Sequence, residues 1–196
     1  MGIQVEIKTW QKDVCVETMR QIGFQTGGRV VDFGCGIGNY TLPLSMAVQE
    51  SGEVYAVDID RHALGEIRKK AEESGIHNIR TMCPEQEGRL AIPDSSVDGF
   101  LIYDLIHSLG RQREQVLSES RRVLKNGAIL SILPFHMAGS QVTGLVRAVE
   151  TLGFELDGIQ RNAGLHFEMH RYLNRKSEHL ADYERGDIYN FRKTNG

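Results

Sequence analysis

The sequence is short of cysteine pairs, of apolar runs and of surplus charge, and each shortage excludes a class of protein. Its three cysteines, Cys15, Cys35 and Cys83, are odd in number, widely spaced and never arranged C-x-x-C. That pattern speaks against a disulfide framework and for a reducing, cytoplasmic compartment. No apolar run approaches the roughly 20 residues of a membrane span, and Met1 to Lys12 lack the apolar core of a secretory leader. The chain therefore reads as neither embedded nor secreted. Lys and Arg number 23 against 26 Asp and Glu, a formal charge of −3, so the basic footprint of a nucleic-acid-binding protein is missing. Internal repeats and low-complexity tracts are also absent. What is present, 196 residues with 40% hydrophobic and 25% charged side chains, suits one domain over 1–196 with a single sizeable core.

Apolar runs and amphipathic stretches alternate along the chain. Trp10, Val14 and Met19 recur at helical spacing within Thr9 to Phe24 and predict a leading helix over 1–26 that ends near Gly23. Short runs at Arg29 to Phe33, Val54 to Val57 and Phe100 to Tyr103 read as buried strands. Tyr40 to Glu50, Arg61 to Ser74, Arg111 to Leu124 and Gln141 to Leu152 read as helices, punctuated by Gly75, Asn126-Gly127 and Gly153. Such alternation implies right-handed crossovers and a doubly wound, mostly parallel α/β sheet with helices on both faces. Phe154 to Arg161 and Leu165 to Leu173 predict a terminal hairpin turning at Asn162-Ala163-Gly164. The core thus spans 27–173, and 174–196 is a C-terminal extension of undecided structure.

The strongest chemical signal is the strand running from Val30 through Asp32 into Gly34, Gly36 and Gly38. Glycine admits unusual φ values and lets a ligand lie against bare backbone. The nicotinamide fingerprint requires its third glycine at position 39, which is Asn39, and the Gly-Lys-Ser/Thr ending of a phosphate loop is absent. Both readings weaken, and Asp32 at the strand end suits a cationic or amine-bearing ligand. A second acid, Asp58, closes the strand Val54 to Val57, where a doubly wound fold places a carboxylate to accept both hydroxyls of a ribose. Asp60 instead reads as the cap of the helix that starts at Arg61.

The stretches VVDFGCGIGNYTLPLS, VYAVDID, IPDSSVDGFLIYDLIHSL and RVLKNGAILSI, in that order between Gly27 and Leu173, resemble the class I S-adenosylmethionine-dependent methyltransferases. The resemblance implies a seven-stranded, Rossmann-like sheet of order 3-2-1-4-5-7-6 and S-adenosylmethionine as cofactor. Carried over, Gly34, Cys35 and Gly36 pass under the cofactor's amino-acid portion, with Gly38 completing the loop, and Asp32 helps to place its ammonium directly or through water. Asp58, with Ile59 beside it, holds the ribose. Glu85 stands where the family often has Asp beside the adenine amino group, and Tyr103 and Asp104 close the fourth strand, where cofactor and acceptor pockets meet. The chain has Tyr103-Asp-Leu-Ile106 in place of the Asn/Asp-Pro-Pro-aromatic motif of members that methylate adenine or a release-factor glutamine. Its general pattern is similar to the group containing quinone-biosynthesis C-methyltransferases.

Methyl transfer from a sulfonium needs in-line alignment and, for a hydroxyl, ammonium or carbon acid, a base. Asp104, His107 and His136 are the candidates, with His107 oriented by Asp104 if a helical turn begins there. His166, Glu168 and His170 alternate along the expected last strand. Should His136 approach them, the set would resemble zinc or transition-metal ligands. The same alternation fits an exposed polar face opposite Leu165, Phe167 and Met169, and spacing alone assigns no metal. Cys35 and Cys83 near the cofactor invite a redox reading, but a cysteine in a glycine loop is more simply a small residue. Tyr40, Phe135 and Met137 stand near strand ends without an assigned role. The expected activity is methyl transfer to a small-molecule acceptor. Its alternatives are cofactor binding without turnover, metal-assisted transfer using the C-terminal histidines, or, least favoured, nicotinamide oxidoreduction.

Overall fold

A computed structural model describes residues 9–85, 88–167 and 184–195. A π-helical turn, Trp10–Cys15, runs into α1 (Val16–Ile22), which stops at Gly23 with φ +117°. The sheet strands that follow are β1 (Arg29–Phe33), β2 (Glu53–Val57), β3 (Ile79–Met82), β4 (Val97–Tyr103), β5 (Leu124–Leu133), β6 (Phe154–Leu165) and β7 (Arg185–Lys193). Between them lie α2 (Thr41–Val48), α3 (Arg61–Glu73), α4 (Arg113–Val123) and α5 (Gly139–Thr151). The strand order is β3-β2-β1-β4-β5-β7-β6, as the motif order implies.

Strands β1 to β5 pair in parallel, and β7 runs antiparallel between β5 and β6. The near-continuous apolar runs of β1 and β4 are explained by cover on both faces. On one face Val30, Val54 and Leu101 pack with Trp10, Met19, Leu44 and Val48 from the first helices. On the other, Val31, Phe100 and Leu130 meet Val116, Leu117, Leu145 and Val149 of α4 and α5. Asp60 caps α3 as expected, its Oδ1 accepting from the His62 amide at 2.8 Å. Among the described residues no helix is long and apolar enough to cross a membrane.

Two local expectations are corrected. Asn126-Gly127 does not end a helix: α4 stops at Val123, β5 begins at once, and Gly127, with φ +73°, lies where the pairing slips between Val97 with Leu124 and Gly99 with Ile129. Nor is there a hairpin turn at Asn162-Ala163-Gly164. That triplet lies inside one long β6, where Asn162 takes φ +52° and the register to β7 shifts between Gln160 and Gly164. Turn-forming residues here make a bulge, because a left-handed residue absorbs one extra position as readily as it reverses a chain. The antiparallel partner comes from Arg185–Lys193, within the region expected to be an extension. Residues 168–173 of the expected second hairpin strand lie outside the described residues.

Candidate active site

The β1 to α2 loop is folded onto the tip of β2. The amides of Gly34 and Cys35 donate to the Val57 carbonyl at 2.8 and 3.0 Å, and the amide of Gly36 donates to Asp58 Oδ2 at 2.8 Å. Asp58 Oδ1 accepts from the Asp60 amide at 2.9 Å. From α3, Lys70 Nζ donates to the Ile37 carbonyl at 2.7 Å. The Asp58 carboxylate is thereby fixed at the end of its strand by two amides, with lone pairs remaining on both oxygens.

The three glycines of this loop have different physical duties. A methyl at Gly34 would strike Leu105 Cδ2 at 2.4 Å, and one at Gly38 would strike Ile67 Cγ1 at 2.9 Å, so both positions serve packing. A methyl at Gly36, φ +49°, would meet nothing within 4 Å. Gly36 thus offers a bare backbone to open space, and that space belongs to a cavity of about 620 Å³ bounded by the loop, the β2 tip and the end of β4.

Gly34, Cys35, Gly36, Asp58, Ile59, Glu85, Tyr103 and Asp104 of the sequence-derived set all line this cavity. Gly38 and Asp32 are not among its lining residues. Asp32 is 2% exposed and accepts the Thr41 hydroxyl at 2.6 Å on Oδ2. Burial, opposed by that hydrogen bond and reinforced by Asp58, pushes its carboxyl up to about 6. Burial raises the Cys35 thiol, keeping it protonated, which fits its reading as a small residue rather than a nucleophile. Cys15, Cys35 and Cys83 are all free. Ile59, by contrast, is 84% exposed, an apolar side chain standing at the cavity rim with nothing packed over it.

Sequence reading missed much of the opposite wall, which includes Leu105, Gln112, Val116, Leu165 and Phe167. The Tyr40 hydroxyl donates to the Leu165 carbonyl at 2.7 Å and accepts the Leu165 amide at 2.7 Å, joining the start of α2 to the end of β6. Tyr40 also meets Tyr103 edge-on, with ring centroids 4.8 Å apart. Tyr40→Phe should destabilise the fold by about 1–3 kcal/mol, because both backbone groups of Leu165 lose a buried partner. Chemical denaturation measures this, and an unchanged midpoint would remove the clamp from the energetics.

The catalytic candidates converge beyond the ends of β4 and β5, where Asp104 lines this cavity and His107 and His136 do not. Asp104 follows β4 with φ +53° and His136 follows β5 with φ +61°. Left-handed backbone at such residues costs on the order of 1 kcal/mol or more each and concentrates at functional sites. Asp104 Oδ1 lies 3.9 Å from His107 Nδ1 and 3.9 Å from His136 Nε2. The hydrogen bond of this carboxylate goes instead to His166, whose Nδ1 donates to Oδ2. His107 follows in a turn after Asp104, not a helix, so the expected orienting bond is not formed. Burial draws the His107 pKa below the ordinary imidazole value, against the opposing pull of Asp104. The His136 ring packs edge-on against those of His107 and His166, at 4.8 and 4.5 Å. His166 therefore joins His136, as the sequence foreshadowed, while Glu168 and His170 lie outside the described residues. His136, Phe135 and Met137 also line a second cavity of about 580 Å³ between the β5–α5 connection and β7.

Residues 30–127 match a family model described as a methyltransferase domain. With the strand order and the acid-tipped glycine loop, this shows that the chain belongs to the class I S-adenosylmethionine-dependent methyltransferases. Among curated relatives, it is 32% identical over 138 residues to a ubiquinone/menaquinone biosynthesis C-methyltransferase of Azotobacter vinelandii, covering 70% of this chain and 54% of that protein. It is 25% identical over 150 residues to a probable cobalt-precorrin-6B C(15)-methyltransferase (decarboxylating) of Saccharolobus solfataricus, covering 76% and 72% respectively. The chain spans about half the length of the demethylmenaquinone and quinone-biosynthesis methyltransferases that it matches. In fold it superposes on a SAM-dependent methyltransferase from Aquifex aeolicus with a TM-score of 0.71, at 22% identity over 94% of this chain and 93% of the other.

Proposed function

We propose that this chain transfers a methyl group from S-adenosylmethionine to a small-molecule acceptor. The observation that carries the reading is the Asp58 carboxylate, pinned by the Gly36 and Asp60 amides beside a glycine whose open face looks onto a 620 Å³ cavity. The residues present fit the cofactor. Gly36 leaves room for its amino-acid portion, Asp58 keeps lone pairs for two ribose hydroxyls, and the uncovered Ile59 offers an apolar surface to an adenine face. Glu85 lines the cavity on the same side and would accept from the adenine amino group. Asp32, behind the loop, would favour the cofactor's positive charge through the field of its buried carboxylate.

When bound, the cofactor supplies an electrophilic methyl whose bond to sulfur breaks as the acceptor attacks. The chain's own work is alignment, exclusion of water and management of the acceptor's proton. Tyr103 and Tyr40 wall the centre of the cavity. His107, kept neutral by burial, and His136 are placed to take a proton, while Asp104 compensates the charge that an imidazole then gains. The second cavity, with Phe135, Met137, Val142 and Val146 in its walls, suits an acceptor with an apolar body. The relatives' names concern quinone and precorrin acceptors, which support a small-molecule class. The −3 charge supports no role for nucleic acid, and three free thiols support work in the cytoplasm.

Incubation with methyl-labelled cofactor and a cell extract tests the reading. Label in a small metabolite is expected. Label in a macromolecule overturns the acceptor class, and tight cofactor binding with no label anywhere favours a binding protein without turnover. Asp58→Ala should weaken cofactor binding by about 1–3 kcal/mol, roughly 5-fold to 150-fold. Calorimetry measures the loss, and unchanged affinity would remove Asp58 from the ribose.

A further inference from the structure

Asp104, His107 and His136 offer three ligating atoms that all lie within 4.8 Å of one another. Asp104 Oδ1 lies 3.9 Å from a ring nitrogen of each imidazole. A tetrahedral zinc ion about 2.0–2.1 Å from each donor holds them about 3.4 Å apart, so closure draws each imidazole about half an ångström toward Asp104 and brings the two imidazoles together by up to about 1.4 Å. Asp104 Oδ1 and His107 Nδ1 are buried atoms that make no hydrogen bond among the described residues, although buried polar atoms ordinarily have a partner. The other carboxylate oxygen is held from behind by His166 Nδ1, the arrangement by which a second residue aims a metal-binding carboxylate. His166 is itself packed between Phe135, stacked at 4.5 Å, and His136.

We propose that Asp104, His107 and His136 bind one divalent transition-metal ion of the zinc class, with His166 as the residue that positions Asp104. Two imidazoles and one carboxylate leave coordination positions open. Because Asp104 lines the first cavity and His136 the second, those positions are available to the reacting group of an acceptor. This use of the ion rests on the methyltransferase reading, whereas its binding does not. An acceptor hydroxyl or thiol bound there gives its proton to solvent water, and its oxygen or sulfur keeps the electron pair that forms the bond to the methyl carbon. The bond pair of the departing group returns to the sulfonium sulfur, which becomes a neutral thioether. The imidazoles then serve as ligands rather than as bases.

Protein purified without a histidine tag and stripped by a chelator is titrated with Co(II), whose visible absorption reports coordination. One equivalent is expected to bind, to be displaced by Zn(II), and to bind more than about tenfold more weakly in His107→Ala, His136→Gln and Asp104→Asn. His62→Ala and His77→Ala, at exposed positions on and after α3, should leave the titration unchanged, and circular dichroism checks that every variant is folded. Absence of a cobalt spectrum in the wild type, or equal affinity in both His107→Ala and His136→Gln, overturns the site. S-adenosylmethionine titrated into the same stripped protein separates the two readings. Cofactor binding without a cobalt signal overturns the metal site alone, while a cobalt signal without cofactor affinity supports the site and overturns the methyltransferase reading.

Discussion

Gly36→Val should abolish measurable binding of S-adenosylmethionine, a loss of more than about 100-fold, or about 2.7 kcal/mol, while leaving a folded protein. The position has φ +49° and open space where a Cβ would stand. A β-branched side chain there strains the backbone by about 1–3 kcal/mol, which a folded domain of this size tolerates. Its methyl groups would fill the volume that the proposed cofactor needs. The contrast with Gly38→Ala makes the test specific. That added methyl meets Ile67 at 2.9 Å, so it should lower stability before it touches affinity. Circular dichroism and calorimetric titration on both variants measure the difference, and normal binding by the valine variant would show that the loop is not the cradle.

Asp32→Asn should stabilise the protein near neutral pH and flatten its pH dependence between about 4 and 6. The Asp32 carboxyl is raised from 3.8 to about 6, so over that interval the folded chain holds a proton that the unfolded chain has released. Stability contributed by this group is full below about pH 4 and declines as pH rises through about 6. The difference of about two pH units corresponds to about 3 kcal/mol at pH 7. Asparagine removes that penalty and its oxygen can still accept the Thr41 hydroxyl, but its amide hydrogens gain no evident partner. The net gain should be about 1–2 kcal/mol. Urea denaturation at pH 7.5 and across pH 4 to 6 measures both effects, and a destabilised variant with an unchanged slope would overturn the account. In the same variant cofactor affinity should fall, because a buried carboxylate kept ionised at such a cost is most useful opposite a cation.

Three of the five parallel strands, β1, β2 and β4, were legible because each runs into a residue that marks the strand's end. Phe33 gives way to a glycine loop, Val57 to an acid and Tyr103 to another acid. Strand β7 was not legible. It is buried at Ile188, Asn190 and Phe191 yet carries four charged residues among RGDIYNFRK. Its burial is made tolerable by hydrogen bonds invisible in one dimension, such as Ser131 Oγ donating to Asn190 Oδ1 at 2.6 Å.

The site divided in the same way. Residues next to the glycine loop were found because motif and geometry coincide over a few positions. His166 meets Asp104 across 62 positions of sequence, and only the β6–β7 pairing that carries the end of β6 back to the β4 tip brings them together. Spacing suggested that His107 would partner Asp104. The left-handed turn at Asp104 sends one oxygen toward the histidines at 107 and 136 and leaves the other for His166.

The place of β7 between β5 and β6 also constrains the order in which the molecule can be assembled during synthesis. Every other strand precedes it in the chain, so until Arg185–Lys193 emerges, the open edge of β5 has no ladder partner and β6 has nowhere to dock. A growing polypeptide would therefore present a sticky apolar margin from Ala128 to Leu133, the kind of surface that chaperones shield. The histidine cluster, which borrows His166 from the end of β6, would be among the last parts of the protein to take shape.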